Sequence, residues 1–133
     1  MITCNPGGES ARLAALHRYQ VLDTAPEEAF DRITRLAKTV LQMPFCMVSL
    51  VDRDRNWFKS KQNVPVDEDK REGSFCGHTI ESDEPFIVHD ARADPRFADN
   101  PAVKDAPHIR FYIGVPLRTR EGHNIGTLCT LDT

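Results

Sequence analysis

The chain has 133 residues, 40% of them apolar and 28% charged, with a net charge of -3. A chain of this size and composition forms one domain that buries roughly two thirds of its unfolded surface without staples. The small charge of mixed sign gives no broad basic footprint for nucleic acid. No apolar run approaches the roughly 20 residues of a membrane span, and the N-terminus lacks the basic-then-apolar order of a signal peptide, so the expected location is the cytoplasm. Four cysteines, Cys4, Cys46, Cys76 and Cys129, lack C-x-x-C spacing and fit buried free thiols in a reducing compartment.

Residues 1–9 read as a flexible leader and residues 10–133 as the domain. A first helix is expected over 10–20, on the spacing of Leu13, Leu16 and Tyr19. Thr24-Ala25-Pro26-Glu27 has the form of a capping box that starts a second helix. Phe30, Ile33, Ala37, Val40 and Leu41 then make a core-facing stripe, closed off by Pro44. The apolar run 45–51 is a central strand. Residues 56–60 return as its hairpin partner, with Trp57 and Lys59 on one face and Phe58 and Ser60 on the other. The charged stretch 61–73 reads as a loop. Ser74 is an N-cap for a short helix ending near Ser82, and 86–90 is a strand. Asp94-Pro95 and Asn100-Pro101 each open a helical turn. A long strand over 109–119, kinked or bulged near Gly114, is followed by a partner over 125–132. Together these imply an α+β layer fold with a mostly antiparallel sheet.

Ser74-Phe75-Cys76-Gly77-His78-Thr79, the stretch 109–117, Ile125-Gly126-Thr127-Leu128-Cys129, Leu22-Asp23-Thr24-Ala25-Pro26-Glu27 and Ser49-Leu50-Val51-Asp52 carry a resemblance that runs from about Ala11 to the last residue. The chain resembles the GAF sensor domains of bacterial signalling proteins. The resemblance implies a six-stranded antiparallel sheet, with helices packed on one face and a short-helix and loop roof over a small-molecule pocket on the other. That roof corresponds to residues 73–105. It also implies a non-catalytic regulator that binds a small ligand or partner and controls a C-terminal histidine kinase or diguanylate cyclase, in a two-component or related system. Family members continue into a long helix that pairs with a second copy. The expectation is therefore a homodimer through helices, and a chain that lacks this final helix.

Trp57, Phe75, Cys76, His78, Phe97, Arg110, Tyr112 and Cys129 are the candidate ligand-binding residues: aromatic walls, with Arg110 or the Tyr112 hydroxyl to orient an anionic or carbonyl group. The ligand itself, and any cofactor, stays unidentified. Cys76 and His78 resemble the Cys-His dyad of bilin-binding members, but residues two apart on a helix point about 200° apart, which speaks against covalent bilin attachment. That geometry puts Phe75, Cys76, Thr79 and Ile80 on one core-facing side. One lineage of the family reduces free methionine sulfoxide with pocket cysteines; Cys46 and Cys129 fall on strands the fold makes neighbours, with Cys76 above them, yet the reductase motifs are missing. The cyclic-nucleotide signature is missing too. Asp90, Asp94 and Asp99 lack the spacing of a calcium loop, so no metal site is expected, and His89 reads as a structural residue. The alternative reading is a dimerisation module with a filled pocket.

Overall fold

In the computed structural model, which describes residues 8–133, six antiparallel strands form one sheet in the order β3-β2-β1-β6-β5-β4. The strands are β1 (Phe45–Val51), β2 (Arg55–Gln62), β3 (Glu68–Lys70), β4 (Phe86–Val88), β5 (Phe111–Arg118) and β6 (Asn124–Asp132). Helices α1 (Gly8–Arg18) and α2 (Glu28–Leu41) cover one face. Helix α3 (Phe75–Thr79), a 3-10 turn at Ala91–Ala93 and α4 (Pro101–Lys104) form the roof over the other. Residues 1–7 of the expected leader lie outside the described residues, and Gly8 and Glu9 are already helical. No helix among the described residues is long and apolar enough to cross a membrane.

Alternation along β1 sorts the two sides. Met47 and Val51 join Phe58, Phe75, Phe97, Tyr112 and Cys129 in the main core under the roof. Leu50 joins Leu16 and Trp57 in a smaller core under α1. One irregularity changes the expected facing of β2. Val48 pairs with Ser60 but Ser49 pairs with Phe58, so Lys59 is an extra residue on β2. A bulge of this kind resets the period-two alternation, and Ser60 consequently faces α2, where Thr34 and Asp31 bond it. Lys59 and Ser60 therefore share the helical side rather than opposite faces.

Several expectations change with the structure. The stretch 61–73 contains β3, which adds the sixth strand; Asn56 pairs with Asp69 and bonds its carboxylate at 2.9 Å. The capping box does not form. Helix α2 begins at Glu28, Glu27 makes no side-chain cap bond, and Thr24 instead donates to Val21 O and accepts from Lys59 Nζ. Tertiary contact with a buried ammonium has won over the local motif.

The stripe read as core-facing on α2 is largely exposed: Ile33, Val40 and Leu41, together with Leu36, are 47–67% accessible. Thr34 is the fully buried residue of α2, and it bonds Ser60 and Gln62. Ser74 caps α3 as expected, accepting from Gly77 N at 3.0 Å, and Asn100 caps α4. Asp94 opens its turn as expected, its carboxylate accepting from Arg96 N and its carbonyl from Phe97 N and Ala98 N at 2.9 Å, and Asp90 caps the 3-10 turn. The irregularity in the last hairpin lies at Leu117/Arg118, not at Gly114. Gly114 serves another need, because a Cβ there would overlap the Tyr112 hydroxyl.

Candidate functional site

The roof side of the sheet brings five of the eight candidate residues together. Phe75 and Tyr112 stack with centroids 4.8 Å apart, and Phe97 stacks on the other side of Phe75 at 4.4 Å. Phe86 meets Phe97 and Tyr112 at 6.0 and 6.1 Å. Offset aromatic stacking of this kind adds about 0.5–1.5 kcal/mol per pair to the gain from burial. Phe97 and Tyr112 are fully buried, and Phe75, Cys76 and Cys129 are nearly so. These side chains occupy the space between roof and sheet where the resemblance places a ligand.

Beneath the stack lies a polar seam. Thr127 Oγ1 donates to Cys76 Sγ at 3.4 Å, and the Tyr112 hydroxyl lies 3.8 Å from the same sulfur. Tyr112 also donates to Thr79 Oγ1 at 2.7 Å, while Thr79 gives its own proton to Phe75 O at 2.9 Å. The Cys129 thiol donates to Cys76, which outweighs burial and holds the Cys76 thiol below its ordinary pKa. The Cys129 thiol is pushed well up by the same neighbour and by its own burial, and burial pushes Tyr112 up. Cys46 is different: burial raises it to about 11, and it sits on the opposite face, since Met47 and not Cys46 lies across from Cys129.

The other three candidates lie elsewhere. Trp57 belongs to the small core with Leu16 and Leu50 and borders a cleft of about 580 Å³ on the helical side. His78 stands at the edge of the roof, its Nδ1 donating to Ser74 O and its ring edge-on to Phe97 at 5.0 Å. It borders a cleft of about 420 Å³ formed with Arg53, Arg71, Glu72, Gly77 and Glu81. Arg110 donates to the carbonyls of Val103 and Ile109, which ties the roof to the start of β5. Asp90 and Asp94 each hold the arginine two residues on, Arg92 and Arg96. Among the described residues no group of three His, Cys, Asp or Glu side chains is arranged to hold a metal ion.

Sequence reasoning missed Ser49, Thr79 and Thr127 as companions of Cys76. The signal was available for Thr127, which lies two residues before Cys129 and so shares its face of β6. It also missed Lys59, a buried ammonium whose Nζ donates to Thr24 Oγ1 and Ala25 O at 2.7 Å and pairs with Glu27 at 2.6 Å.

A six-stranded antiparallel sheet with paired helices on one face and a short-helix roof on the other defines a class of α+β domains. The chain belongs to the GAF domain family, which it matches over residues 25–133. It is 39% identical over 127 residues to a cyclic di-GMP phosphodiesterase of Pseudomonas aeruginosa, a bacterial signalling protein; the match covers 96% of this chain but 22% of that protein. The chain thus spans about a fifth of the length of this relative.

Solved structures share the fold at low identity. The free methionine-R-sulfoxide reductase of Neisseria meningitidis, solved with its substrate, superposes with a TM-score of 0.64 at 16% identity, over 99% of this chain and 78% of that one. The GAF domain of an Acinetobacter phosphoenolpyruvate-protein phosphotransferase gives 0.61 at 16% identity, over 98% and 78%.

Proposed function

We propose that this domain is a non-catalytic regulatory module that pairs with a second copy through its helical layer and so controls an output domain joined to it. The observation that carries this reading is the coincidence of a filled interior with an exposed apolar stripe. Phe75, Phe97 and Tyr112 occupy the space a ligand would need, while Ile33, Leu36 and Val40 of α2 face outward. Fully burying each such side chain is worth roughly 1.5–3 kcal/mol. A second copy suits the stripe because α2 carries Glu28 in its first turn and Lys38 in its last. Two-fold antiparallel pairing then sets unlike charges against each other. The output activity proposed is cyclic di-GMP hydrolysis, the activity in the Pseudomonas relative's name; it consumes the messenger that the cyclase among the sequence expectations would make, and it stands in place of both that cyclase and the kinase.

Sedimentation velocity over a concentration series tests the pairing. Self-association that disappears in Leu36→Asp/Val40→Asp, with thermal stability unchanged, is the expected result. A monomer at every concentration would sink the reading. Cyclic di-GMP turnover by the full-length gene product, with and without the same two substitutions, tests control of the output.

A second reading, a small-ligand sensor, draws on the 420 Å³ cleft at the edge of α3. A metabolite that raises the melting temperature, and stops doing so in His78→Ala, would favour it.

A further inference from the structure

Cys76 and Cys129 are the two thiols of the main core, and their surroundings differ from those of an inert buried cysteine. The Cys76 sulfur receives a hydrogen bond from the Thr127 hydroxyl at 3.4 Å, with the Tyr112 hydroxyl 3.8 Å away; Cys129 lies two residues beyond Thr127 on the same face of β6 and across from Gly114, over which that Tyr112 hydroxyl sits, so the sheet brings the second thiol to the same spot. Tyr112 has one proton to give. Thr79 spends its own proton on Phe75 O at 2.9 Å, so the Tyr112 proton goes to Thr79 across their 2.7 Å contact and adds no donor to Cys76. Ser49, fully buried and opposite Thr127 in the sheet, has a hydroxyl with no hydrogen-bond partner among the described residues, on the same face of the sheet as that sulfur. An anion on Cys76 thus has the Thr127 hydroxyl as its donor, and Ser49 offers an unspent partner for an oxygen atom placed on that sulfur.

We propose that Cys76 is an oxidative modification site, at which a small hydroperoxide oxidises the sulfur and Cys129 then closes a Cys76–Cys129 disulfide. The Cys76 thiolate attacks the hydroxyl-bearing oxygen of the hydroperoxide. An S–O bond forms, the O–O bond breaks, and the departing alkoxide or hydroxide takes up the proton that Cys76 had released. Cys129 next attacks the sulfenic sulfur; the S–S bond forms, the S–O bond breaks, and water leaves with the Cys129 proton. Two thiols lose two electrons and two protons, all of which end on the hydroperoxide oxygens.

The product would fasten α3, which carries Cys76, to the central strand β6. Size commits the site to a hydroperoxide. Cys76 lies 4% exposed beneath the Phe75 ring stack, one residue from the cleft bordered by Gly77 and His78, a burial that admits a small hydroperoxide more readily than a substrate as large as methionine sulfoxide. Cys46 is an internal control, because it lies on the other face of the sheet and burial keeps it a neutral thiol. This inference stands apart from the proposed pairing through α2, and neither depends on the other.

The test is a thiol map of the full chain. Reduced, folded protein is exposed to hydrogen peroxide, quenched in denaturant with N-ethylmaleimide and digested for mass spectrometry. The expected result is a cross-link between the Cys76 and Cys129 peptides that dithiothreitol reverses, while Cys46 remains alkylated. In Cys129→Ser with dimedone present, the adduct should fall on Cys76. The wild-type map decides even if that variant fails to fold. The proposal is overturned if Cys76 and Cys129 both emerge alkylated after an exposure that oxidises free glutathione, or if the link runs to Cys46 or Cys4. Oxidation of the pair by methionine sulfoxide at the peroxide rate would likewise refute it.

Discussion

On the roof side of the sheet, Phe75, Phe97 and Tyr112 stack face to face over a seam of thiols and hydroxyls. On the helical side, Thr34, Asp31, Ser60 and Gln62 hold α2 by hydrogen bonds, and Lys59 is clamped between Thr24, Ala25 and Glu27. Both layers are tightly joined to the same strands, yet by different physics. Apolar stacking uses up the hydrophobic surface of the roof. Polar attachment leaves the hydrophobic surface of α2 unspent, and that surface remains available for another molecule. The inner face of a GAF domain is where a ligand is sought, but in this chain its own aromatic side chains fill that face, and the apolar residues left exposed include Ile33, Leu36 and Val40 of α2.

The largest effect should come from breaking the stack. Phe97→Ala removes a fully buried ring that touches Phe75, Phe86 and the Arg96 guanidinium, and should cost about 3–5 kcal/mol of unfolding free energy in urea. If the cost is near zero, the roof is not held by this core and the contrast between faces collapses. Gly114→Ala acts on the same unit by pushing the Tyr112 hydroxyl off Thr79 and Cys76, which overpacking places at about 1–3 kcal/mol.

The helical side should respond less to each single change. Lys59→Ala leaves the Thr24 hydroxyl and Ala25 carbonyl without their cation while Glu27, 55% exposed, returns to water, so a loss of about 2 kcal/mol is expected. Lys59→Met keeps the packing volume and should recover part of that loss. Full recovery would mean that the ammonium contributes packing and no net polar attachment. Thr34→Val removes the hydroxyl shared with Ser60 and Gln62, for about 1 kcal/mol, because Ser60 retains Asp31.

The same contrast explains what the sequence disclosed. Strand positions, the Ser74 and Asn100 caps, and the inward side of α3 were legible because each depends on local chemistry or on strict alternation. The inward side of α2 was not. Phe30, Ile33, Ala37, Val40 and Leu41 form a good amphipathic stripe, but which stripe faces the sheet was decided by the bulge at Lys59, which turned Ser60 toward α2 and gave Thr34 a polar partner. Periodicity reports where an apolar face lies and not what will cover it. β3 escaped because three charged residues, Glu68–Lys70, pair at a sheet edge, where charge is favoured and no apolar period is needed. At the candidate site, the aromatic residues and both thiols were legible by type. That they would fill the space themselves depends on Phe97, brought over Phe75 by a turn whose bonds run through Asp94.

The smallest predicted effect concerns a charged contact that joins the two layers around the end of the sheet. Glu9 of α1 accepts from Arg12, which is buried against Val51 O, and from Arg71, three residues before Ser74 and bonded through its carbonyl to Ser74 N. Partial burial opposes the Glu9 charge, but the two guanidinium groups outweigh it and bring the carboxyl from 4.5 down to about 2. A carboxylate whose pKa is lowered by folding stabilises the native state above its unfolded value and loses that contribution as pH falls through the folded one. Wild-type stability should therefore decline between about pH 4.5 and 2 by more than that of Glu9→Gln, which lacks the titration. Chemical denaturation of both proteins at pH 5, 3.5 and 2.5 reads the difference. At pH 7 the variant should be the weaker of the two, by a small margin because Glu9 is half exposed. Parallel curves across the acid range would show that Arg12 and Arg71 are satisfied without Glu9, and that the two layers are coupled through the sheet alone.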